Sequence, residues 1–218
     1  PLVAGPCPGL ASPPVARQRG LGGRSLPNSV WIGSGQAGAA CGANLRAKGL
    51  EGQITLIGAE TAPPYQRPPL SKKYLLGEMD LERLYLRPES YYADQNITLR
   101  LGTTVQAIDT TAQTVSLAEE ILSYDHLVLT TGASPIRLPA AIGGDLDGVY
   151  TVRNLADVDS MAPEFAKARH VLIVGGGYIG LEAAAVAAAN GPQVTLGELS
   201  DRIRPRGAAK GTRPDLPP

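Results

Sequence analysis

Residues 29–60, SVWIGSGQAGAACGANLRAKGLEGQITLIGAE, decide the fold of this chain. A short apolar run ends at Gly33, which begins a G-x-G-x-x-G spacing completed by Gly35 and Gly38. An alanine-rich segment typical of a helix follows, and a second apolar run leads to Glu60. Strand, glycine turn, helix, second strand and terminal acid together predict a dinucleotide-binding βαβ unit.

Each conspicuous residue of this stretch has a physical role. Gly33 permits the tight turn, Gly35 removes a side chain that would block a pyrophosphate, and Gly38 lets helix and strand pack closely. The helix N-terminus then offers N–H groups and the positive end of its dipole to the phosphates. Glu60 lies roughly 20 residues past Gly38, which is the spacing expected of a carboxylate that accepts ribose hydroxyls.

The same arrangement recurs at residues 170–198, HVLIVGGGYIGLEAAAVAAANGPQVTLGE. An apolar strand leads to Gly175, Gly177 and Gly180, and the alanine-rich helix that follows stops at a glycine and a proline. A second strand then leads to Glu198. An acid at this position favours NAD, because a carboxylate repels the extra phosphate of NADP. The sequence therefore predicts two dinucleotide sites.

Composition narrows the classes of function. The chain has 218 residues with 20 Lys and Arg against 20 Asp and Glu, so its charge gives no reason to expect a nucleic-acid partner. No apolar run approaches the length of a membrane span, and we expect no membrane association. The two cysteines, Cys7 and Cys41, form neither a disulfide framework nor a CxxC pair, which favours a reduced, cytoplasmic setting. No metal site is predicted.

The middle of the chain combines a proline-restricted loop with shorter elements. We expect an irregular path over residues 62–70, a helix over 88–95 and a strand over 97–101. Patterns of period two or short apolar runs then predict three strands of an antiparallel meander, at residues 105–108, 114–117 and 126–130. The last of these strands ends at a Thr-Thr-Gly turn.

Six separate motifs resemble one family, and they are spread over residues 29–206: IGSGQAG, ITLIGAE, PYQRPPLSK, LYLRP, LVLTTGASP and VGGGYIGLE. The chain resembles the FAD-dependent, NADH-utilising ferredoxin reductases of oxygenase systems, the group that contains putidaredoxin, rubredoxin and rhodocoxin reductases. PYQRPPLSK, at residues 64–72, is the most specific of these motifs.

The resemblance implies roles for particular residues. It implies that the first glycine loop binds FAD, with Glu60 near the ribose, and that the second binds NAD(H). It further implies that Arg67, Pro68 and Lys72 lie beside the isoalloxazine and pyrophosphate of FAD. Val105 would contact the adenine through its backbone. The residues that would close the FAD site are Thr131, Gly132 and Arg137. Tyr178 would shield the flavin face where nicotinamide docks, and Glu182 would pair with Lys72 beside flavin N5. Without the resemblance, Lys72 in a loop and Glu182 in a helix would be interpreted as ordinary solvated positions.

The resemblance also implies an activity. Hydride transfer is the chemistry of the cofactors, so the protein has to stack them, tune the charge near N5 and exclude water. Residues 61–80 contain no cysteine, which argues against the dithiol chemistry of related flavoenzymes. We therefore expect an oxidoreductase that passes electrons from NADH through FAD to a ferredoxin or rubredoxin-type carrier. The oligomeric state is left open.

We expect an α/β protein with a Rossmann-like FAD-binding domain and three-stranded meander at residues 29–149. A partial Rossmann-like NAD(H)-binding domain, limited to its first βαβ unit, is expected at 150–205. Residues 1–28 and 206–218 are expected to be disordered, with a transit peptide as the alternative for the first segment.

The family pattern stops near residue 206, which suggests an incomplete copy of a reductase. The alternative is a non-catalytic remnant with weak or no dinucleotide binding. Departures from a well-formed first unit include Trp31, which is bulky for a buried strand, and Gly42, which should cost its helix about 1 kcal/mol relative to alanine.

Overall fold

The computed structural model describes residues 26–199 of the chain. The expectations for residues 1–25 and 200–218 lie outside the described residues. The described part divides into two compact units: the first contains residues 26–66 and 82–134, and the second contains residues 67–81 and 135–199. This division differs from the expected boundary after residue 149, because residues 67–81 and 135–149 belong to the second unit. The functional assignment of the two expected domains stays a prediction.

The first unit contains a parallel sheet and an antiparallel meander. Its elements are β1 (Asn28–Ile32), α1 (Gln36–Ala47), β2 (Gln53–Ile57), α2 (Leu81–Leu84), which begins at the boundary, α3 (Glu89–Asp94), β3 (Ile97–Arg100), β4 (Ala107–Asp109), β5 (Thr114–Ser116), β6 (Ile121–Ser123) and β7 (His126–Leu129). The parallel sheet has the order β3-β2-β1-β7, and the meander has the order β4-β5-β6. The α/β fold with a three-stranded meander is confirmed.

The core of this unit lies on both faces of the parallel sheet. Successive side chains of a strand point to opposite faces, so Val30 and Trp31 of β1 enter different clusters. Trp31 packs with residues of α1, α3 and neighbouring strands, namely Ala39, Ile54, Leu56, Tyr92 and Ile97. Val30 packs with Ile57 and with residues of the meander region, namely Val115, Leu117 and Tyr124. Helices therefore cover one face of the sheet and the meander covers the other.

One strand assignment from the sequence is wrong. β7 (His126–Leu129) is not the third strand of the meander but pairs in parallel with β1; the third meander strand is β6 (Ile121–Ser123), antiparallel to β5. The apolar run of β7 is typical of a strand in a parallel sheet, and β7 is here the edge strand, with His126 and Leu129 exposed. The first meander strand, β4, begins at Ala107 rather than at residue 105.

Asn28 joins the starts of β1 and β7. Its N–H donates to Asp125 Oδ2 at 2.7 Å, and its side-chain amide donates to the Ser123 carbonyl at 2.6 Å. Asn28 is also the first residue of β1. It therefore belongs to the folded unit and not to the disordered extension expected from the sequence.

Trp31 and Gly42, the two departures noted in the sequence, lie against each other. Trp31 is 1% exposed, and a Cβ added at Gly42 would lie 2.8 Å from Trp31 Cζ3. The indole ring therefore fills the space that a side chain at residue 42 would need. The glycine lowers the intrinsic stability of α1 and at the same time makes room for the largest side chain of the core.

Arg46, in the last turn of α1, joins this helix to the two segments that directly precede β2 and β3. Its guanidinium donates to four backbone carbonyls: Gln95 at 2.7 Å, Leu50 at 2.6 Å, Gly52 at 2.6 Å and Asn96 at 2.7 Å. Partial burial lowers the pKa of Arg46 from its ordinary value. The planar fork of an arginine suits several acceptors in different directions.

The second unit contains a βαβ unit, a further helix and two short 3-10 helices. Its elements are the 3-10 helices Pro68–Ser71 and Ala140–Ile142, then α4 (Leu155–Phe165), β8 (His170–Val174), α5 (Tyr178–Ala189) and β9 (Gln193–Gly197). β8 and β9 are parallel, as the sequence predicts. A capping box starts α4, because the side chain of Asn154 accepts from Asp157 N–H while the Asp157 carboxylate accepts from Asn154 N–H.

None of the helices between residues 26 and 199 is both long enough and apolar enough to cross a membrane.

Candidate dinucleotide-binding sites

The first glycine loop joins β1 to α1 and has little room for side chains at two of its three positions. Gly33 has a φ of +118°, and a Cβ there would lie 2.0 Å from the Thr130 carbonyl oxygen. A Cβ at Gly38 would lie 2.3 Å from the Gly33 carbonyl oxygen. At Gly35 a Cβ would meet nothing within 4 Å. The open position is therefore the one at which the pattern requires space for a pyrophosphate.

The second loop, between β8 and α5, repeats this geometry except at its first glycine, Gly175, where a Cβ would meet nothing within 4 Å. Gly175 has a φ of +113°, and a Cβ at Gly180 would lie 1.9 Å from the Gly175 carbonyl oxygen. Gly177 again faces open space. Two stretches that share a glycine spacing in the sequence thus share a backbone conformation in the structure.

The helix that follows each loop begins in the same way. Gly35 is the N-cap of α1 with φ −80° and ψ −171°, and Gly177 is the N-cap of α5 with φ −75° and ψ −179°. Neither cap provides a side-chain hydrogen bond, and neither first turn contains an acidic residue. A helix N-terminus without a side-chain cap, beside a glycine with open space where a Cβ would be, suits an anionic phosphate. Both loops therefore fit the pyrophosphate of a dinucleotide.

The two predicted ribose-binding acids follow the second strand of their units, and each is already held by a hydrogen bond. The Glu60 carboxylate accepts from the Tyr65 hydroxyl through Oε2. Glu198 Oε2 accepts from Gly176 N–H at 2.6 Å, so this carboxylate lies directly beside its own glycine loop. The acid that follows β9 is therefore in contact with the predicted phosphate-binding loop of the same unit.

Lys72 and Glu182 are brought together within the second unit. Lys72 Nζ lies 3.1 Å from Glu182 Oε1, and the other carboxylate oxygen is 3.4 Å from Ser71 Oγ. The two side chains are 44% and 39% exposed. They come from elements far apart in sequence: the Lys72 backbone ends a 3-10 helix, while Glu182 lies on the second turn of α5. Their role beside a flavin stays a prediction.

The other predicted site residues of the second unit differ in their hydrogen bonds and in their exposure to solvent. Pro68 begins the 3-10 helix, and Arg67 Nη1 donates to the Arg153 carbonyl at 2.7 Å. Tyr178, the first residue of α5, is 58% exposed. Arg137 is exposed and lies outside the helices and strands.

The remaining predicted residues belong to the first unit. Val105 is partly buried and packs against the cluster that contains Val115. Thr131 and Gly132 are exposed and directly follow the Thr130 carbonyl that closes over Gly33.

Several residues with a structural part in these sites were missed. Thr130 Oγ1 donates to the Gly33 carbonyl at 2.8 Å, and a Cβ at Gly58 would lie 1.7 Å from Ser34 Oγ. Tyr65 holds Glu60, and Ser71 contacts Glu182. Thr130 and Gly58 directly follow apolar strands, a position that serves as a weak signal. The other two contacts depend on chain folding that no local pattern records.

No group of three or more potential metal ligands occurs among residues 26–199.

The two βαβ units define a protein of the class that binds two dinucleotides. Each unit has a glycine loop with an open central position, a helix without a side-chain N-cap and an acid after its second strand.

The chain belongs to the family described as pyridine nucleotide-disulphide oxidoreductase, which matches residues 28–213. This membership and the similarities below confirm the family resemblance stated from the sequence motifs.

Two curated relatives are similar over most of this chain. It is 46% identical over 182 residues to a ferredoxin–NAD(P)+ reductase of a Sphingomonas species, a match that covers 83% of this chain and 44% of the relative. It is 45% identical over 174 residues to rhodocoxin reductase of Rhodococcus erythropolis, covering 79% of this chain and 40% of the relative.

Among solved structures, that of a covalent putidaredoxin reductase–putidaredoxin complex matches with a TM-score of 0.80 and 42% identity. The match covers 84% of this chain and 45% of that chain. The chain therefore spans less than half the length of these relatives.

Proposed function

We propose that this chain is part of a flavoprotein oxidoreductase that passes electrons from NADH through FAD to a ferredoxin or rubredoxin-type carrier. The observation that carries the proposal is the pair of glycine loops with one backbone geometry, each opening a helix and each followed by an acid. Two dinucleotide sites in one chain suit an enzyme that brings two such cofactors into one reaction. The similar ferredoxin and rhodocoxin reductases support this choice of activity.

In this proposal the first unit binds FAD. Gly35 and the N-terminus of α1 take the pyrophosphate, and Glu60 accepts the ribose hydroxyls. Gly33 and Gly38 keep the loop close to β7 and α1, because any side chain at either position would collide with backbone. Val105, Thr131 and Gly132 complete the part of the site that the family resemblance assigns to this unit.

The second unit binds NAD(H) in the same manner. Gly175, Gly177 and Gly180 form the loop, Glu198 accepts the ribose hydroxyls, and Tyr178 lies at the start of α5 beside the nicotinamide. A carboxylate held beside the glycine loop would also repel the additional phosphate of NADP. NADH is therefore the proposed electron donor.

Lys72 and Glu182 are proposed to act on the charge beside the flavin, with Arg67, Pro68 and Arg137 as further contacts. The flavin supplies the hydride-accepting and electron-transferring chemistry when it is bound. The Lys72 ammonium would stabilise negative charge at that position, and Glu182, 3.1 Å away, would restrain the ammonium. Both residues lie in one unit, so this contact forms within a single compact body.

The electron acceptor is proposed from chemistry as well as similarity. Residues 61–80 contain no cysteine, so the chain offers no thiol in the region expected to lie beside the flavin. An external one-electron carrier is then the natural acceptor. We also propose a cytoplasmic location, which the low cysteine content of the chain supports.

The test is the visible absorbance spectrum of the purified 218-residue chain after incubation with FAD and removal of free flavin, followed by anaerobic NADH. We expect retained flavin absorbance that bleaches when NADH is added. Failure to retain flavin would refute the proposal for this chain and favour the alternative of a non-catalytic remnant.

Two matched variants separate the two sites. Gly35→Ala and Gly177→Ala each add a methyl group in open space, so both should fold. Gly35→Ala is expected to lose flavin retention, whereas Gly177→Ala is expected to retain flavin and bleach only at higher NADH concentration. Equal behaviour of the two variants would contradict the assignment of FAD to the first loop and NADH to the second.

A further inference from the structure

Tyr65 is buried beside the candidate ribose-binding acid of the first unit. Its ring is 4% exposed, and its hydroxyl donates to Glu60 Oε2. Both residues belong to the first unit. The contact joins the acid that ends the first βαβ unit to the loop that follows it, and the sequence motifs do not predict it.

The backbone around Tyr65 is fixed independently of Glu60. Tyr65 forms an antiparallel bridge with Tyr85. On either side of this bridge, Gln66 N–H donates to the Leu84 carbonyl and Leu86 N–H donates to the Pro64 carbonyl, both at 2.9 Å. A buried ring on a bridged backbone has few alternative positions. Its hydroxyl is therefore a fixed donor, toward which the carboxylate must orient.

Glu60 needs such a donor more than a shorter side chain would. The Glu60 backbone carbonyl accepts from Gly102 N–H at 2.9 Å, which fixes the main chain, but three rotatable bonds separate the carboxylate from it. Freezing those bonds on ligand binding costs conformational entropy. Glu198 in the other unit solves the same problem differently, because its carboxylate accepts from a backbone N–H of its own loop.

We propose that Tyr65 is a positioning residue for FAD binding: its hydroxyl holds one oxygen of Glu60 so that the carboxylate is oriented in advance for the hydroxyls of the adenosine ribose. The inference rests on the proposed function of the first site. It assigns to the tyrosine of the PYQRPPLSK segment a part in recognising the adenosine half of the cofactor. Tyr65 acts through Glu60 and does not itself contact the ribose.

The test measures the dissociation constant of FAD for the apo form of the 218-residue chain by quenching of flavin fluorescence. Tyr65→Phe keeps the buried ring and removes only the hydroxyl, and it should weaken FAD binding about tenfold. Tyr92→Phe is the matched control, because the Tyr92 hydroxyl is buried in the same unit without a hydrogen-bond partner among the described residues. This control should bind FAD as the unchanged chain does.

The decisive comparison repeats Tyr65→Phe in a Glu60→Ala background. If Tyr65 acts through Glu60, the second substitution should change FAD affinity by less than about twofold, whereas a general structural effect would weaken binding by the same factor in both backgrounds. Equal losses in the two backgrounds, or unchanged affinity of the single variant, would overturn the inference while leaving the proposed function intact. An unchanged chain that binds no FAD would refute both. Thermal unfolding of every variant identifies any that fails to fold.

Discussion

Gly42→Ala should destabilise the protein, although replacing glycine by alanine at an exposed position inside a helix is usually stabilising. Alanine improves the intrinsic helix propensity of α1 by about 1 kcal/mol. The added Cβ, however, would lie 2.8 Å from Trp31 Cζ3, 3.3 Å from Trp31 Cη2 and 3.5 Å from Ile97 Cδ1. Overpacking of this kind costs about 1–3 kcal/mol, and a 1% exposed indole has little room to move. We expect a net loss of about 1 kcal/mol in the free energy of unfolding.

The measurement is urea denaturation followed by far-ultraviolet circular dichroism. Two control variants separate the opposing effects. Ala40→Gly, at an exposed position of the same helix, should lose about 1 kcal/mol and so measures the propensity effect alone. In a Trp31→Phe background the atoms that collide with the Cβ are absent, so Gly42→Ala should then stabilise the protein by up to about 1 kcal/mol. Circular dichroism is used because Trp31 is the only tryptophan, so the Trp31→Phe variants have no tryptophan fluorescence with which to follow unfolding.

The sign of the effect in each background is the critical result. Stabilisation by Gly42→Ala in the otherwise unchanged chain would show that the indole yields to the new methyl group. The explanation of Gly42 as space for Trp31 would then fail. An equal loss in both backgrounds would point to a cause unrelated to the indole and would contradict the argument as well.

Three further predictions concern other contacts. Arg46→Lys should lower the free energy of unfolding, measured by urea titration, by about 2–3 kcal/mol. The reason is that one ammonium cannot reach the four carbonyls that the guanidinium joins. A loss below about 0.5 kcal/mol would contradict this. Gly35→Ala should change the melting temperature by only a few degrees, since the added Cβ enters open space. The same methyl group should weaken FAD binding at least about tenfold in a fluorescence titration. Unchanged affinity would exclude a phosphate beside this glycine. Glu182→Gln should change the free energy of unfolding by less than about 0.5 kcal/mol, because its partner Lys72 is 44% exposed and solvent screens the pair, and a larger loss would reveal a structural role.

The sequence predicts the two βαβ units well because their signals are local. Apolar runs, glycine spacing and a glycine at the helix end all lie within each stretch of about 30 residues. The structure has β1, α1 and β2 in the first unit and β8, α5 and β9 in the second where these signals predict them. The first helix is followed by Gly49 with a φ of +84°, as a helix-ending glycine should be.

The assignment of β7 failed because strand partners are not a local property. Residues 126–130 follow the two earlier strands that the sequence predicts for the meander. The actual third strand, β6, is only three residues long with partly buried side chains, so the stronger apolar run of residues 126–130 was predicted in its place. The pairing of β7 with β1 joins residues almost 100 positions apart, with Ser29 opposite His126. A continuous apolar run was the available signal for a parallel strand.

The site was predictable where a motif prescribes residue types, and not where a contact depends on folding. The glycines and the two acids follow from spacing alone. Tyr65 beside Glu60, Thr130 over Gly33 and Ser71 beside Glu182 required the structure, because each residue type is common in loops and at strand ends. The Lys72–Glu182 contact was expected only through the resemblance to the reductases.

The second unit is built from two separated stretches of the chain, and this has a consequence during translation. Ser71 and Glu182 are 111 positions apart, so the segment that carries Lys72 emerges from the ribosome long before α5 exists. At about 5–20 residues per second, that delay is roughly 5–20 s. The nascent chain must keep the PYQRPPLSK segment available until its partner helix has been synthesised, and a chaperone acting on the nascent chain would have that interval in which to bind it.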